Sequence, residues 1–83
     1  MMSEPVKGFL RIWMGGKSWP VWYYDEVPEG MRLARKTDLV MGRPVLYKVH
    51  LGPYIGMWGT EFVRISTLGV LMRLVEDNEV YVK

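Results

Sequence analysis

One run of residues, Trp-Pro-Val-Trp-Tyr-Tyr, most constrains the fold of this chain, because it holds four of the eleven aromatic residues, Trp19, Trp22, Tyr23 and Tyr24. Neighbouring residues of a strand point to opposite faces of a sheet, so Trp22 and Tyr24 share one face while Val21 and Tyr23 share the other. A small two-layer domain cannot bury both faces. We therefore expect at least one of Trp22, Tyr23 and Tyr24 to be partly exposed.

The length of 83 residues predicts a single domain spanning residues 1–83. A chain of this size hides only about 60–65% of its unfolded surface on folding, so its core must be rich in apolar side chains. Apolar residues make up 49% of the sequence, which is enough for one core. The surplus apolar area favours a face that binds a partner or a second copy.

The sequence contains no cysteine, which excludes disulfides, thiolate zinc sites and cysteine nucleophiles. A reducing cytosol fits this composition. The first residues lack the pattern of a signal peptide, and no apolar run approaches the roughly 20 residues of a membrane span. We expect a cytoplasmic protein that does not enter the membrane.

Alternating and β-branched residues predict several strands along the chain. The first two flank a Gly-Gly-Lys-Ser turn signal and are expected to form a hairpin. The predicted strands are Val6–Met14, Val21–Tyr24, Pro44–Val49, Met57–Ile65 and Val80–Val82.

A single helical turn is predicted over Asp38–Gly42. Thr37 can cap its first backbone N–H groups, and Asp38 suits the positive end of the turn. Gly42 can adopt the left-handed conformation in which such a turn ends.

The segment Ser66–Asp77 fits two patterns. Leu68, Leu71, Met72 and Val75 have helical spacing, whereas Leu68, Val70, Met72 and Leu74 alternate as in a strand. Capping residues, Ser66 or Thr67 before and Asn78 after, favour the helix. The predicted fold is therefore α+β, a mainly antiparallel sheet with one amphipathic C-terminal helix on a face. The alternative is an all-β, strongly curved barrel.

Residues 45–59 resemble the KOW motif of ribosomal and transcription-elongation proteins. A strand with Val45, Tyr47 and Val49 precedes the run Gly-Pro-Tyr-Ile-Gly-Met-Trp-Gly, residues 52–59. The chain departs from the motif at Glu61, where the family has an apolar residue. The resemblance implies an SH3-like barrel that contacts RNA or protein.

A second resemblance covers about sixty residues and begins at the segment Trp22–Ala34, with the run Trp-Tyr-Tyr-Asp-Glu-Val-Pro-Glu-Gly. This segment is similar to small, uncharacterised proteins of phages and mobile elements. Such proteins continue into a Thr-x-x-Leu-Met-type helix and a final Val-Tyr-Val-like strand. The resemblance implies a biological setting and no particular chemistry.

No pattern in the sequence predicts catalysis. His50 is the only histidine, and it stands at the end of a predicted strand. The carboxylates Asp25, Glu26 and Glu29 belong to a Pro/Gly turn, where solvent exposure alone favours acidic residues. Hard cations need six or more oxygen ligands around a loop, and no such spacing is present. We expect no enzyme activity and no metal, cofactor or small-molecule ligand.

Two functions remain, and the first is an interaction protein that binds a protein partner or itself through exposed aromatic and arginine side chains. The rival is a nucleic-acid-binding module of SH3-like type, in which cations contact phosphates and aromatic rings stack on bases. The partner-binding candidates are Trp19, Trp22, Tyr23, Tyr24 and Arg32. The nucleic-acid candidates are Arg35, Lys36, Arg43, Lys48, Tyr54 and Trp58.

Overall fold

A computed structural model describes the backbone of residues 6–11, 18–50 and 52–83, and the side chains of 21–50 and 52–83. Within these ranges six strands form one sheet, and one α-helix packs against it. The elements are β1 (Val6–Arg11), β2 (Ser18–Tyr24), β3 (Arg32–Leu33), β4 (Pro44–Lys48), β5 (Trp58–Phe62), α1 (Ile65–Glu76) and β6 (Val80–Val82).

The predicted hairpin at the start of the chain is confirmed. β1 and β2 pair antiparallel, with Val6 opposite Tyr23 and Arg11 opposite Ser18. The predicted Gly-Gly turn between them, and the last part of the predicted first strand, fall on residues 12–17 and lie outside the described residues.

The strand order in the sheet is β1-β2-β5-β4-β6-β3, and every adjacent pair is antiparallel. In the described part of the chain β1 and β3 form the two edges, so the sheet is open. The α+β prediction is confirmed, and the closed-barrel alternative is wrong because residues 65–76 form a helix.

The helix α1 begins and ends with local hydrogen bonds. The backbone N–H of Arg64 donates to the Thr67 hydroxyl oxygen at 3.2 Å, so the cap residue is Arg64 rather than the predicted Ser66 or Thr67. Asn78 follows the helix with φ 58°, as its side chain type predicts. Leu71 and Leu74 point into the core, whereas Met72, expected on the buried stripe, is exposed because the stripe is centred one residue away.

The predicted turn after Thr37 is displaced. A short 3₁₀ turn covers Lys36–Asp38, so Thr37 lies inside the turn instead of capping it. The Asp38 carboxylate accepts a hydrogen bond of 2.8 Å from the backbone N–H of Arg35. The last residue of the turn therefore caps its beginning. Gly42, with φ 81°, ends the segment in the left-handed conformation as predicted.

The core lies between α1 and one face of the sheet, here called the inner face. Alternate residues of the central strands supply it, with Tyr47 of β4 and Tyr23 of β2 as its large rings. Gly59 of β5 lies between these two rings in the register, and a Cβ there would be 3.1 Å from the Tyr23 ring. The remaining buried core residues are Val21, Ala34, Val45, Val49, Val63, Leu71, Leu74, Val80 and Val82.

Candidate partner-binding surface

The second half of β2 alternates between the two faces of the sheet, as expected from its sequence. Tyr23 is 2% exposed on the inner face, whereas Trp22 is 44% exposed on the opposite, outer face. Tyr24, which shares the face of Trp22, is half-buried. The predicted exposure of at least one ring is therefore confirmed. The side chain of Trp19, a further candidate, lies outside the described residues.

Tyr23 is a core residue rather than a contact residue. Its ring stacks on Tyr54 with centroids 4.0 Å apart and an interplanar angle of 8°. Burial raises the pKa of the Tyr23 hydroxyl, with further contributions from Tyr54 and Glu61. Tyr23, one of the predicted partner-binding residues, is therefore buried by packing within its own chain.

Other aromatic rings lie on the outer face beside Trp22 and Tyr24. Trp58 of β5 and Tyr81 of β6 meet edge to face across β4, with centroids 5.2 Å apart. The Lys48 ammonium lies 5.8 Å from the Trp58 ring centroid. The sequence prediction omitted Tyr81, although its place between the buried Val80 and Val82 indicates the outer face by alternation.

The connection from β2 to β3 begins and ends beside the outer face. β2 and β3 are parallel to each other and separated by β5, β4 and β6, roughly 19 Å at ordinary strand spacing. Residues 25–31 span this gap, and at about 3.6 Å per residue their reach of roughly 25 Å is enough to do so. We call this segment the acidic strap. Tyr24 and Met31, at its two ends, both line a pocket of about 220 Å³ on the outer face.

Part of the outer face is buried around this pocket. Leu46 lies in its floor and is 1% exposed, although alternation places it on the face opposite the helix. The remaining residues of the pocket wall are Pro44, Val45, Thr60 and Lys83. The open part of the face is therefore the β2 side, around Trp22.

The acidic strap places negative charge beside the aromatic rings. Asp25, Glu26 and Glu29 are exposed, and their side chains form no ion pair or hydrogen bond with any other described residue. Asp25 directly follows Tyr24 in the chain. The surface formed by Trp22, Tyr24, Asp25 and Glu26 is called the aromatic–acidic surface below.

Arg32 does not join the aromatic rings. It lies in β3 at the far edge of the sheet and forms two hydrogen bonds with the Asp38 carboxylate, each 2.9 Å. The Arg32 side chain, the Arg35 backbone N–H and the nearby Arg43 hold the pKa of Asp38 well below its ordinary value. The arginine of the predicted contact surface thus belongs to a separate cluster.

The nucleic-acid candidates are divided among three places. Lys48 and Trp58 lie together on the outer face. Tyr54 lies on the inner side, stacked on Tyr23. The remaining candidates surround Asp38 or its neighbours, and Lys36 is ion-paired with Glu76, whose pKa it lowers. These last three candidates are Arg35, Lys36 and Arg43.

The other polar groups of the described residues lie in separate places. His50 Nε2 lies 2.6 Å from Glu79 Oε2, which is a pair at the surface rather than a constellation. Glu61 is 4% exposed and accepts a hydrogen bond from the Phe62 backbone N–H. The buried Tyr47 hydroxyl forms no hydrogen bond within the described chain, and burial raises its pKa. Among the described residues no group of three or more His, Cys, Asp or Glu could hold a metal ion.

Comparison of the chain with known protein families, with curated proteins and with solved structures found no match. None of the helices in the described ranges has the length and apolar character needed to cross a membrane.

Proposed function

We propose that this protein is a non-enzymatic interaction protein, and that the β2 side of its outer sheet face contacts a protein partner or a second copy. The observation that carries the proposal is the 44% exposure of Trp22 beside the half-buried Tyr24. Tryptophan and tyrosine are enriched among residues that dominate binding energy at interfaces.

The two carboxylates that follow these rings favour a protein over a nucleic acid at this surface. Asp25 and Glu26 follow Tyr24 directly and are exposed. Carboxylates that follow these rings in the chain repel phosphate groups, whereas they attract the lysine and arginine side chains of a protein. Aromatic faces attract the same cations.

A pair of alanine substitutions tests the proposal. A photo-crosslinking residue in place of Tyr24 should yield crosslinked protein species in a lysate of the source cells or with the purified chain. Trp22→Ala should reduce these species strongly, while Val70→Ala, an equally apolar exposed change on α1, should leave them unchanged. Equal crosslinking by both variants would contradict the proposal.

A second candidate function is nucleic-acid binding, and the three exposed cations Arg35, Lys36 and Arg43 in the segment after β3 favour it. If this group binds phosphate, the affinity for an RNA or DNA oligomer should fall steeply with salt as counterions are released. Arg35→Ala and Lys36→Ala should each flatten that slope. Affinity no tighter than millimolar at low salt would remove this candidate.

The proposed setting is the cytoplasm, which the cysteine-free sequence supports. The similarity of the segment Trp22–Ala34 to small phage and mobile-element proteins supports an origin among such elements. Genomic neighbourhood is the observation that tests this origin, because the coding sequence should lie among phage or transposition genes.

A further inference from the structure

We propose that the partner is a second copy of this chain, whose basic edge binds the aromatic–acidic surface so that the molecules assemble head to tail. The basic edge is formed by Arg35, Val40, Met41 and Arg43. This inference rests on the proposed function, since it uses the same aromatic surface and names its occupant.

The residues of the basic edge all belong to one short segment, residues 35–43. Backbone hydrogen bonds link residues 35–43 in succession: Asp38 N–H donates to the Arg35 carbonyl, Val40 N–H to the Asp38 carbonyl and Arg43 N–H to the Val40 carbonyl. Val40 and Met41 are both at least half exposed. The segment therefore carries two exposed large apolar side chains and two exposed arginines.

The net charge of this edge is positive. Asp38, the acidic residue within the segment, is already held by the two hydrogen bonds from Arg32. Lys36 is paired with Glu76, so this lysine contributes little net charge. Arg35 and Arg43 remain exposed, without an ion pair to any described carboxylate within hydrogen-bond distance.

The two surfaces are complementary in both charge and polarity. One joins exposed rings to the carboxylates Asp25 and Glu26, and the other joins Val40 and Met41 to arginines. Arginine side chains bind both carboxylates and aromatic faces, which makes them suited to this pairing. A nucleic acid would satisfy the basic edge but would leave the aromatic–acidic surface unoccupied.

The surfaces lie far enough apart to be occupied at the same time. The carboxylates follow β2, whose end pairs with the start of β5, whereas Gly42 and Arg43 form backbone hydrogen bonds with Val63, just after the opposite end of β5. An interface between two different surfaces of the same chain is heterologous, and it produces rings or open chains of molecules rather than a two-fold dimer.

Sedimentation velocity over a concentration series tests the assembly. The average mass of the wild type should rise with concentration between about 10 μM and 1 mM, the range in which weak, transient protein interfaces dissociate. Trp22→Ala should weaken association about 30-fold. Glu26→Lys and Arg35→Glu should each weaken it at least about 10-fold, whereas the charge-matched changes Asp77→Lys and Arg73→Glu should not. Circular dichroism verifies that each variant is folded.

A mixing experiment tests the head-to-tail geometry. Trp22→Ala destroys the aromatic–acidic surface and keeps the basic edge, whereas Met41→Asp does the reverse. Each variant alone should be monomeric, while their equimolar mixture should form a heterodimer and no larger species, because each complex retains one intact pair of surfaces.

Four results would overturn the inference. A wild type that stays monomeric to about 1 mM excludes self-association at useful strength. Association that Trp22→Ala abolishes and Met41→Asp leaves intact would indicate a two-fold interface through the aromatic surface alone. Crosslinks from position 24 only to another protein, lost in Trp22→Ala, would uphold the proposed function while removing the second copy as the occupant. Crosslinks that Trp22→Ala leaves unchanged would remove both.

Discussion

Adjacent residues of β2 have opposite roles, and single substitutions should separate them. Tyr23→Ala removes a ring that is 2% exposed and stacked on Tyr54, so it should cost roughly 3–5 kcal/mol of folding stability. Trp22→Ala should cost about 1 kcal/mol or less, because nearly half of that side chain is already in water. Urea unfolding measures both values. A similar loss for the two variants would show that Trp22 is a core residue.

A second prediction at this scale concerns the dependence of stability on pH. Hydrogen bonds from Arg32 and from the Arg35 backbone lower the pKa of Asp38 in the folded state. A carboxyl with a lowered folded pKa contributes stability above its unfolded pKa of about 4, and that stability is lost as the pH falls below this value. The wild type should therefore lose more stability between pH 5 and pH 2 than Asp38→Asn does, as urea unfolding at each pH would show.

The outcome for Asp38→Asn has one internal control. Glu76, whose pKa is lowered by Lys36, titrates in the same direction and remains in the variant. Some loss of stability in acid should therefore persist in Asp38→Asn. Identical curves for the two proteins would show that the contact with Arg32 contributes nothing to folding.

At the scale of elements, the same substitution should have opposite effects at two glycines. Gly69 lies in the middle of α1 with open space around it, so Gly69→Ala should stabilise the protein by up to about 1 kcal/mol. Gly42 has φ 81°, and Gly42→Ala should destabilise by roughly 1–2 kcal/mol because a Cβ disfavours that conformation. Shifts of the urea midpoint in the same direction for both variants would contradict the assigned backbone conformations.

Local sequence patterns predict the elements of this fold better than their arrangement. The alternation in β2 predicts which rings are buried, and the spacing of Leu68 and Leu71 predicts the helix, because both depend on residues close in the chain. The local patterns do not predict the cap at Arg64 or the inward position of Leu74, since these depend on how α1 lies on the sheet.

The candidate site shows the same limit. The exposure of Trp22 follows from alternation, but its neighbours follow from strand order, which places β5 beside β2 and sends β3 to the far edge. Strand order depends on contacts between residues distant in sequence, and no local pattern records them. Arg32 therefore pairs with Asp38 instead of lying beside the aromatic rings. Val40 and Met41 are surface residues that no pattern in the sequence predicts.

At the scale of the whole molecule, the strand order predicts an uneven distribution of stability. β4 lies between β5 and β6, and residues from both its faces are buried: Tyr47 on the inner face and Leu46 on the outer face. β3 is two residues long and lies at the edge. Opening β4 therefore requires breaking the sheet, whereas β3 can separate from β6 alone.

Native-state hydrogen exchange measured by NMR should reveal this difference. The amides of β4 that bond to β5 and β6, including Lys48, which donates to the Glu79 carbonyl, should exchange only through global unfolding. The Ala34 amide, which donates to the Val80 carbonyl next to the edge strand, should exchange through a local opening of lower free energy. Added denaturant should accelerate exchange at Lys48 far more than at Ala34, because global unfolding exposes more surface than local opening. Equal dependence on denaturant at both amides would show that β3 and β4 unfold as one unit, and that the edge strand is as firmly held as the centre of the sheet.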